Sequence, residues 1–210
     1  MKGRLLLLAV VGMVASGCVS HLVFAKPADY VSPVGTKPGH VGKGTPLSAE
    51  PGNQLATFAA GNFWDVEAHF RDVPGVKATA VGYTGGEVAN PRHQEVAEGK
   101  TGHALAVLVE FDPKVVSYGK LLETFFQIHD PTKRNRQGLY TGSAYRSAIF
   151  HHSIEQRNEA AAMVRHLSAE TGRRIVTFVA PAEPFYLAED ENQQYHSKAG
   201  SLPNPAPYWR

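Results

Sequence analysis

"LATFAAGNFWDVEAHF", residues 55–70, decides the reading of the fold. Its first six residues are an apolar run of strand length. After Gly61 the apolar positions shift to helical spacing, with Trp64, Val66 and Phe70 available for one face. A strand that ends on a small residue and opens directly onto a helix often presents a nucleophile. The residue in the presenting position is Asn62. The lone pair of an amide nitrogen is delocalised into the carbonyl, so Asn62 cannot attack.

The pattern continues outward from this junction. "VKATAVGYTG" (76–85) reads as a second strand halted at Gly85-Gly86, and "ALAVLVEF" (104–111) as a third, apolar enough to be central. "SYGKLLETFFQIH" (117–129) places Leu121, Leu122, Phe125 and Phe126 at helical spacing. "RSAIFHH" (146–152) is a strand, "SIEQRNEAAAMVRHLSAE" (153–170) a helix with Ser153 as N-cap, and "RIVTFVAP" (174–181) a last strand. The order β-α-β-β-α-β followed by α-β predicts an α+β domain: a helix-covered mixed sheet with a ferredoxin-like split β-α-β core, long loops and an extended C-terminal tail. The loops at 85–103 and 129–145 are long, polar and rich in Gly, Asn and Pro. Such loops are disordered or functional, and both are expected to converge near "GNFW".

Composition sets outer limits. With 210 residues, 43% hydrophobic and 19% charged, the chain has core enough for one globular domain. A net charge of +2 is too small to point to nucleic acid or a polybasic membrane contact. Ten histidines are present, but His93, His103 and His129 are scattered and His151-His152 adjacent, which is not the spacing of a metal site; no metal is expected.

The N-terminus reads as an export address. "MKGR" is basic, and "LLLLAVVGMVASG" (5–17) is shorter than a bilayer span. Two routes stay open: "VASGC" resembles a lipobox that would lipidate Cys18, and "VFA" (23–25) suits cleavage before Lys26. Either route places the protein outside the cytoplasm, periplasmic or lipid-anchored at the cell envelope, with membrane contact only through a lipid on Cys18. Residues 1–25 are then the export segment. Residues 26–53, with five prolines and five glycines, form a tether, and 54–210 form the folded domain. Cys18 is the sole cysteine, so the domain has no internal disulfide, thiolate nucleophile or Cys-ligated metal.

"GNFWDVE", "VGYTGG", "NPRHQEV", "TGHALAV", "HDPT", "NRQG", "YRSAIF" and "FYLAEDENQQY" occur in this order from about Leu55 to Tyr195. In motifs and spacing this resembles the A-type peptide methionine sulfoxide reductases. The resemblance implies reduction of methionine-S-sulfoxide, free or in oxidised proteins: a thiolate attacks the sulfoxide sulfur, an acid protonates its oxygen, and a sulfenic acid forms. It implies no prosthetic cofactor, the reductant being thioredoxin or a dithiol. It implies an aromatic substrate wall at Phe63 and Trp64 and oxygen-side donors at Tyr83, Glu95 and Tyr145. Glu95 would be the proton donor, kept in its acid form by a dry aromatic pocket. Read without the resemblance, Phe63 and Trp64 suit an ordinary core, Tyr83 and Tyr145 strand positions, and Glu95 a solvated loop.

The departures from the family pattern cluster. Asn62 occupies the place of the family's catalytic cysteine, Tyr140 that of an acidic residue, Leu105 that of a glutamate and Asn192 that of a histidine. Asp65 stands where a small residue is common, and "HSKAGSLPNPAPYWR" carries no resolving cysteine. Loss of a nucleophile costs about six orders of magnitude in a serine protease, so thiol-dependent reduction is expected to be lost or severely impaired. Three readings follow: a binder of methionine sulfoxide through Asn62, Tyr83, Glu95, Tyr140 and Tyr145; a reductase that borrows an external thiol; or a scaffold.

Overall fold

The computed structural model describes residues 49–205, 207 and 209. The expected export segment, Cys18 and the tether up to residue 48 lie outside the described residues. The last tether residues join the body: Glu50 N and Asn53 Nδ2 both donate to Glu110 Oε1 at the far end of the third strand.

The elements run β1 (Gln54–Ala60), α1 (Phe63–Arg71), β2 (Val76–Thr84), α2 (His93–Ala97), β3 (Ala104–Phe111), α3 (Tyr118–Gln127), β4 (Arg136–Gln137), β5 (Tyr140–Thr141), a 3-10 turn (Ser143–Tyr145), β6 (Ser147–His151), α4 (Ile154–Thr171), β7 (Phe178–Pro181), β8 (Tyr186–Leu187) and α5 (Tyr195–Ala199). The main sheet has the order β7-β6-β1-β3-β2-β8. Its four inner strands, β6-β1-β3-β2, are mutually antiparallel neighbours, the split β-α-β arrangement. β7 adds in parallel beside β6, and β8 adds antiparallel beside β2. β3 is central and every one of its residues is buried, as the apolar run Ala104–Val109 requires; Glu110 near its end is buried with its Oε1 hydrogen-bonded.

Side-chain alternation divides the core. Ala56, Phe58 and Ala60 of β1 join Leu105, Val107, Val109 and Phe111 of β3 on the helix-covered face. There Phe58 stacks between Phe70 of α1 (4.8 Å) and Phe125 of α3 (5.3 Å). Leu55 and Ala59 join Ala104, Ala106, Leu108, Ala148, Phe150 and Phe185 on the other face. Ser117 and Ser153 cap α3 and α4 by accepting from Lys120 N and Gln156 N.

The last strand is shorter than the apolar run 174–181 suggests. Val176 N donates to Pro131 O, so this part of the run pairs with a loop, and only Phe178–Pro181 lies beside β6. The two long loops are built segments. Residues 85–103 contain α2, and 129–145 contain the β4–β5 hairpin, where the Gln137 side chain exchanges two hydrogen bonds with the backbone of Asp130. At the other end of the sheet β8 pairs with β2 through two residues only. Just beyond them the Gln193 amide takes over, accepting from Val81 N and donating to Val81 O.

Candidate functional site

Asn62 is the N-cap of α1. Its Oδ1 accepts from Trp64 N at 3.1 Å, satisfying one of the donors that a helix start leaves open. The preceding Gly61 has φ +98°, and a Cβ there would lie 2.7 Å from Cβ of Gln137, so the junction and the hairpin loop approach as closely as glycine allows. The other end of the amide faces that loop: Asn62 Nδ2 donates to the Tyr140 hydroxyl at 3.4 Å. Tyr140 stacks on Tyr145 with ring centres 5.1 Å apart. Burial, and then the neighbouring Tyr140, raises the pKa of Tyr145.

Phe63 and Trp64 point to a second group of rings. Phe63 is 1% exposed and lies 6.1 Å from Tyr83 and 5.4 Å from His93. Trp64 meets His93 edge-on at 5.8 Å, stacks on Tyr195 at 4.3 Å, and donates from Nε1 to Asn192 Oδ1 at 3.2 Å. Phe63, Trp64 and Tyr83 thus belong to a cluster of rings completed by His93 of α2 and Tyr195 of the C-terminal region.

Two expected oxygen-side donors are placed elsewhere. Tyr83 is fully buried, and its hydroxyl donates to Glu189 Oε2 at 2.6 Å. Burial pushes its pKa far up, and the Glu189 carboxylate adds to the rise. Partial burial alone would raise Glu189, but the Tyr83 hydroxyl and the His93 N–H hold it below its ordinary value. Glu95 is not in a dry aromatic pocket. It is exposed in the first turn of α2, where Oε2 accepts from Arg92 N at 2.8 Å as half of a capping box. Its position three residues into a short surface helix turns the carboxylate back to the helix start. Leu105, paired in register with Tyr83 on β3, is 2% exposed and apolar.

Thus the structure joins Asn62 to Tyr140 and Tyr145 on one side of the α1 start, and Phe63 and Trp64 to Tyr83 on the other. A cleft of about 550 Å³ opens on the first side. It is lined by Asn62, Asp65, His129, Leu139 and Tyr140, together with Asn204, Pro205 and Pro207 of the tail. His129 at its wall is fully buried and neutral. Nδ1 faces Phe125 O at 2.6 Å, Nε2 faces Ser147 Oγ at 2.7 Å, and burial lowers its pKa to about 4. His93 and Glu189 were not singled out as site residues from the sequence. Both lie inside motifs quoted above, but their roles come from contacts 30 and 106 residues away in the chain. Among the described residues no group of three His, Cys, Asp or Glu side chains could hold a metal ion.

Fold and site together define a ferredoxin-like α+β domain whose first strand–helix junction faces a cleft. The family described as "Peptide methionine sulfoxide reductase" matches residues 54–206, and the chain belongs to that family. A peptide methionine sulfoxide reductase MsrA from Methanosarcina acetivorans is 51% identical over 164 residues, which cover 76% of this chain and 87% of the relative. Among solved structures, Mxr1 from Saccharomyces cerevisiae in its reduced form superposes with a TM-score of 0.71 at 32% identity, covering 78% of this chain and 96% of that one. The same yeast protein in complex with Trx2 gives a TM-score of 0.53 at 28% identity, covering 78% and 95%.

Proposed function

We propose that this member of the family holds a methionine-sulfoxide group at the Asn62 cleft and does not reduce it by thiol chemistry. One observation carries the reading. The residue at the start of α1, where the resemblance puts the nucleophilic cysteine, is an asparagine that caps the helix, and residues 49–210 contain no cysteine. Reduction of a sulfoxide requires an electron pair from a nucleophile. A delocalised amide supplies none, and binding alone cannot replace it.

The donors that suit a sulfoxide oxygen are Asn62 Nδ2, held only by a 3.4 Å bond, and the hydroxyls of Tyr140 and Tyr145. Tyr83 is excluded from this set by its bond to Glu189. Yeast Mxr1 is known in complex with Trx2; the domain proposed here forms no disulfide for such a reductant to open. We extend the proposal to place: the protein is exported by residues 1–25 and works periplasmically or on a lipid attached to Cys18.

Calorimetric titration with a short peptide containing methionine-S-sulfoxide, its R epimer, or methionine tests binding. Affinity for the S epimer at least tenfold above both others is expected, and equal weak affinities would overturn the binding reading in favour of a scaffold. Turnover of the S-sulfoxide peptide with excess dithiothreitol tests the chemistry. The natural chain is expected to be silent, and turnover by it would show that an external thiol serves as the nucleophile.

A further inference from the structure

We infer that Gln137 is a positioning residue: it sets the spacing between Asn62 Nδ2 and the Tyr140 hydroxyl, which together form a two-point donor for a single acceptor oxygen. The part of this pair in binding rests on the sulfoxide reading above, while its spacing is open to test without any ligand.

The orientation of Asn62 is fixed first. Its Oδ1 accepts from Trp64 N, so Nδ2 is the end that meets Tyr140, with 3.4 Å between Nδ2 and the hydroxyl oxygen. Two donor atoms at that separation can share one oxygen lying about 2.9 Å from each, and the phenol proton rotates to suit. Past roughly 6 Å no single oxygen meets both. A thioether sulfur is only a weak acceptor. Preference for the oxide over plain methionine therefore depends on where the β4–β5 hairpin stands.

Gln137 decides where it stands. It pairs with Tyr140 across the turn Gly138-Leu139, so the two side chains leave the ribbon on the same face. Leu139 at the tip is 98% exposed, and packing there holds nothing in place, whereas Gln137 is 8% exposed. The Gln137 stem lies on Gly61, where a Cβ would come 2.7 Å from its Cβ and 2.9 Å from its Cγ. Its amide closes on Asp130, donating to O at 2.7 Å and accepting from N at 3.1 Å. Asp130 is itself held by Thr132, whose N and Oγ1 both donate to its Oδ1. The adjacent His129 ring lies between Phe125 O of α3 and Ser147 Oγ of β6. Stacking on Tyr145 orients the Tyr140 ring, but the distance of the ribbon from Asn62 is set through Gln137.

NMR of the isotope-labelled full chain reads the side-chain amide of Asn62. Tyr140→Phe supplies the shift that loss of the Asn62–Tyr140 bond produces. Gln137→Met keeps a stem on Gly61 and loses both bonds to Asp130; it is expected to move the Asn62 amide in the same direction. Ser153→Ala, which uncaps α4, is the control: it is expected to lower stability and leave that resonance in place. An unmoved Asn62 amide in Gln137→Met would overturn the inference. Calorimetry is expected to show the preference for a methionine-S-sulfoxide peptide over its methionine counterpart falling about tenfold in both Tyr140→Phe and Gln137→Met. Preference kept in full by Gln137→Met would also overturn it. If the natural chain has no such preference, the sulfoxide reading fails and the resonance alone decides the positioning role. If Gln137→Met does not fold, Gln137→Asn decides: its side chain is one methylene too short to meet Asp130 from the same hairpin position, so an unmoved Asn62 amide refutes the role and a moved one supports it.

Discussion

The Tyr83 hydroxyl donates to Glu189 Oε2 at 2.6 Å, joining β2 to a loop 106 residues further along the chain. The same carboxylate accepts from His93 N through Oε1 and from Asn192 Nδ2 through Oε2, so one side chain fastens β2, α2 and the C-terminal region beside the Phe63 and Trp64 rings. Tyr83→Phe is expected to lower stability by about 1.5–3 kcal/mol, the usual worth of a hydrogen bond to a charged group. Glu189 has a folded pKa below its unfolded value. Its contribution is therefore present above the unfolded carboxylate value of about 4.3 and is lost as pH falls through the lower folded value. Urea denaturation of both proteins should accordingly show a larger gap at pH 6 than below pH 4; an equal gap throughout would remove Glu189 from the account.

Asn62 caps α1 as well as facing the cleft. Asn62→Ala should cost about 1 kcal/mol, while Asn62→Ser, which keeps an acceptor for Trp64 N, should stay within a few tenths. Chemical denaturation separates the two. Equal losses would mean that the cap does not hold the helix start.

His129 and His152 give the domain an acid-labile window. Burial lowers both to about 4, and each is within hydrogen-bond distance of a hydroxyl: Ser147 for His129, Thr57 for His152. Their folded pKa lies below the ordinary histidine value of about 6.5, so the unfolded chain takes up protons first. Stability is full above pH 6.5 and is lost as pH falls towards 4, by on the order of 3 kcal/mol for each of the two histidines. Denaturation midpoints measured from pH 7.5 to 4 should fall accordingly, and His129→Gln should flatten the slope while lowering stability at neutral pH.

Gly82 holds β8 against β2. A Cβ at this position would lie 2.3 Å from the Tyr186 carbonyl oxygen and 2.4 Å from the Phe185 ring. Gly82→Ala is expected to cost about 2–3 kcal/mol, the upper range for overpacking, and to speed amide exchange at Tyr186 and Leu187. Unchanged exchange there would show that the ring and strand yield without detaching.

Much of the scaffold was legible because it rests on local periodicity. The apolar runs "LATFAA" and "ALAVLVEF", the helical spacing around Phe125 and the hydroxyl of Ser153 each act over a few residues. The site was legible only where it shares that locality. Asn62, Phe63 and Trp64 follow from the junction that β1 and α1 make. For Glu95 nothing local distinguishes a pocket acid from a capping acid; in the fold it is exposed and accepts from Arg92 N. The two-residue strands β4, β5 and β8 are too short for any period to show.

The sequence by itself determined the order of the longer strands and helices, the family resemblance, and the absence of a thiol from residues 49–210, because these depend on residue type and on neighbours within a turn or two. Only the tertiary structure decided that Tyr83 serves Glu189, that His93 packs against Phe63 and Trp64, and that Asp65 faces Asn204. Each of these is a contact between elements far apart in the chain. Its partner is chosen by how the sheet closes and where the tail returns, and hydrogen-bond geometry then commits the group to that one neighbour.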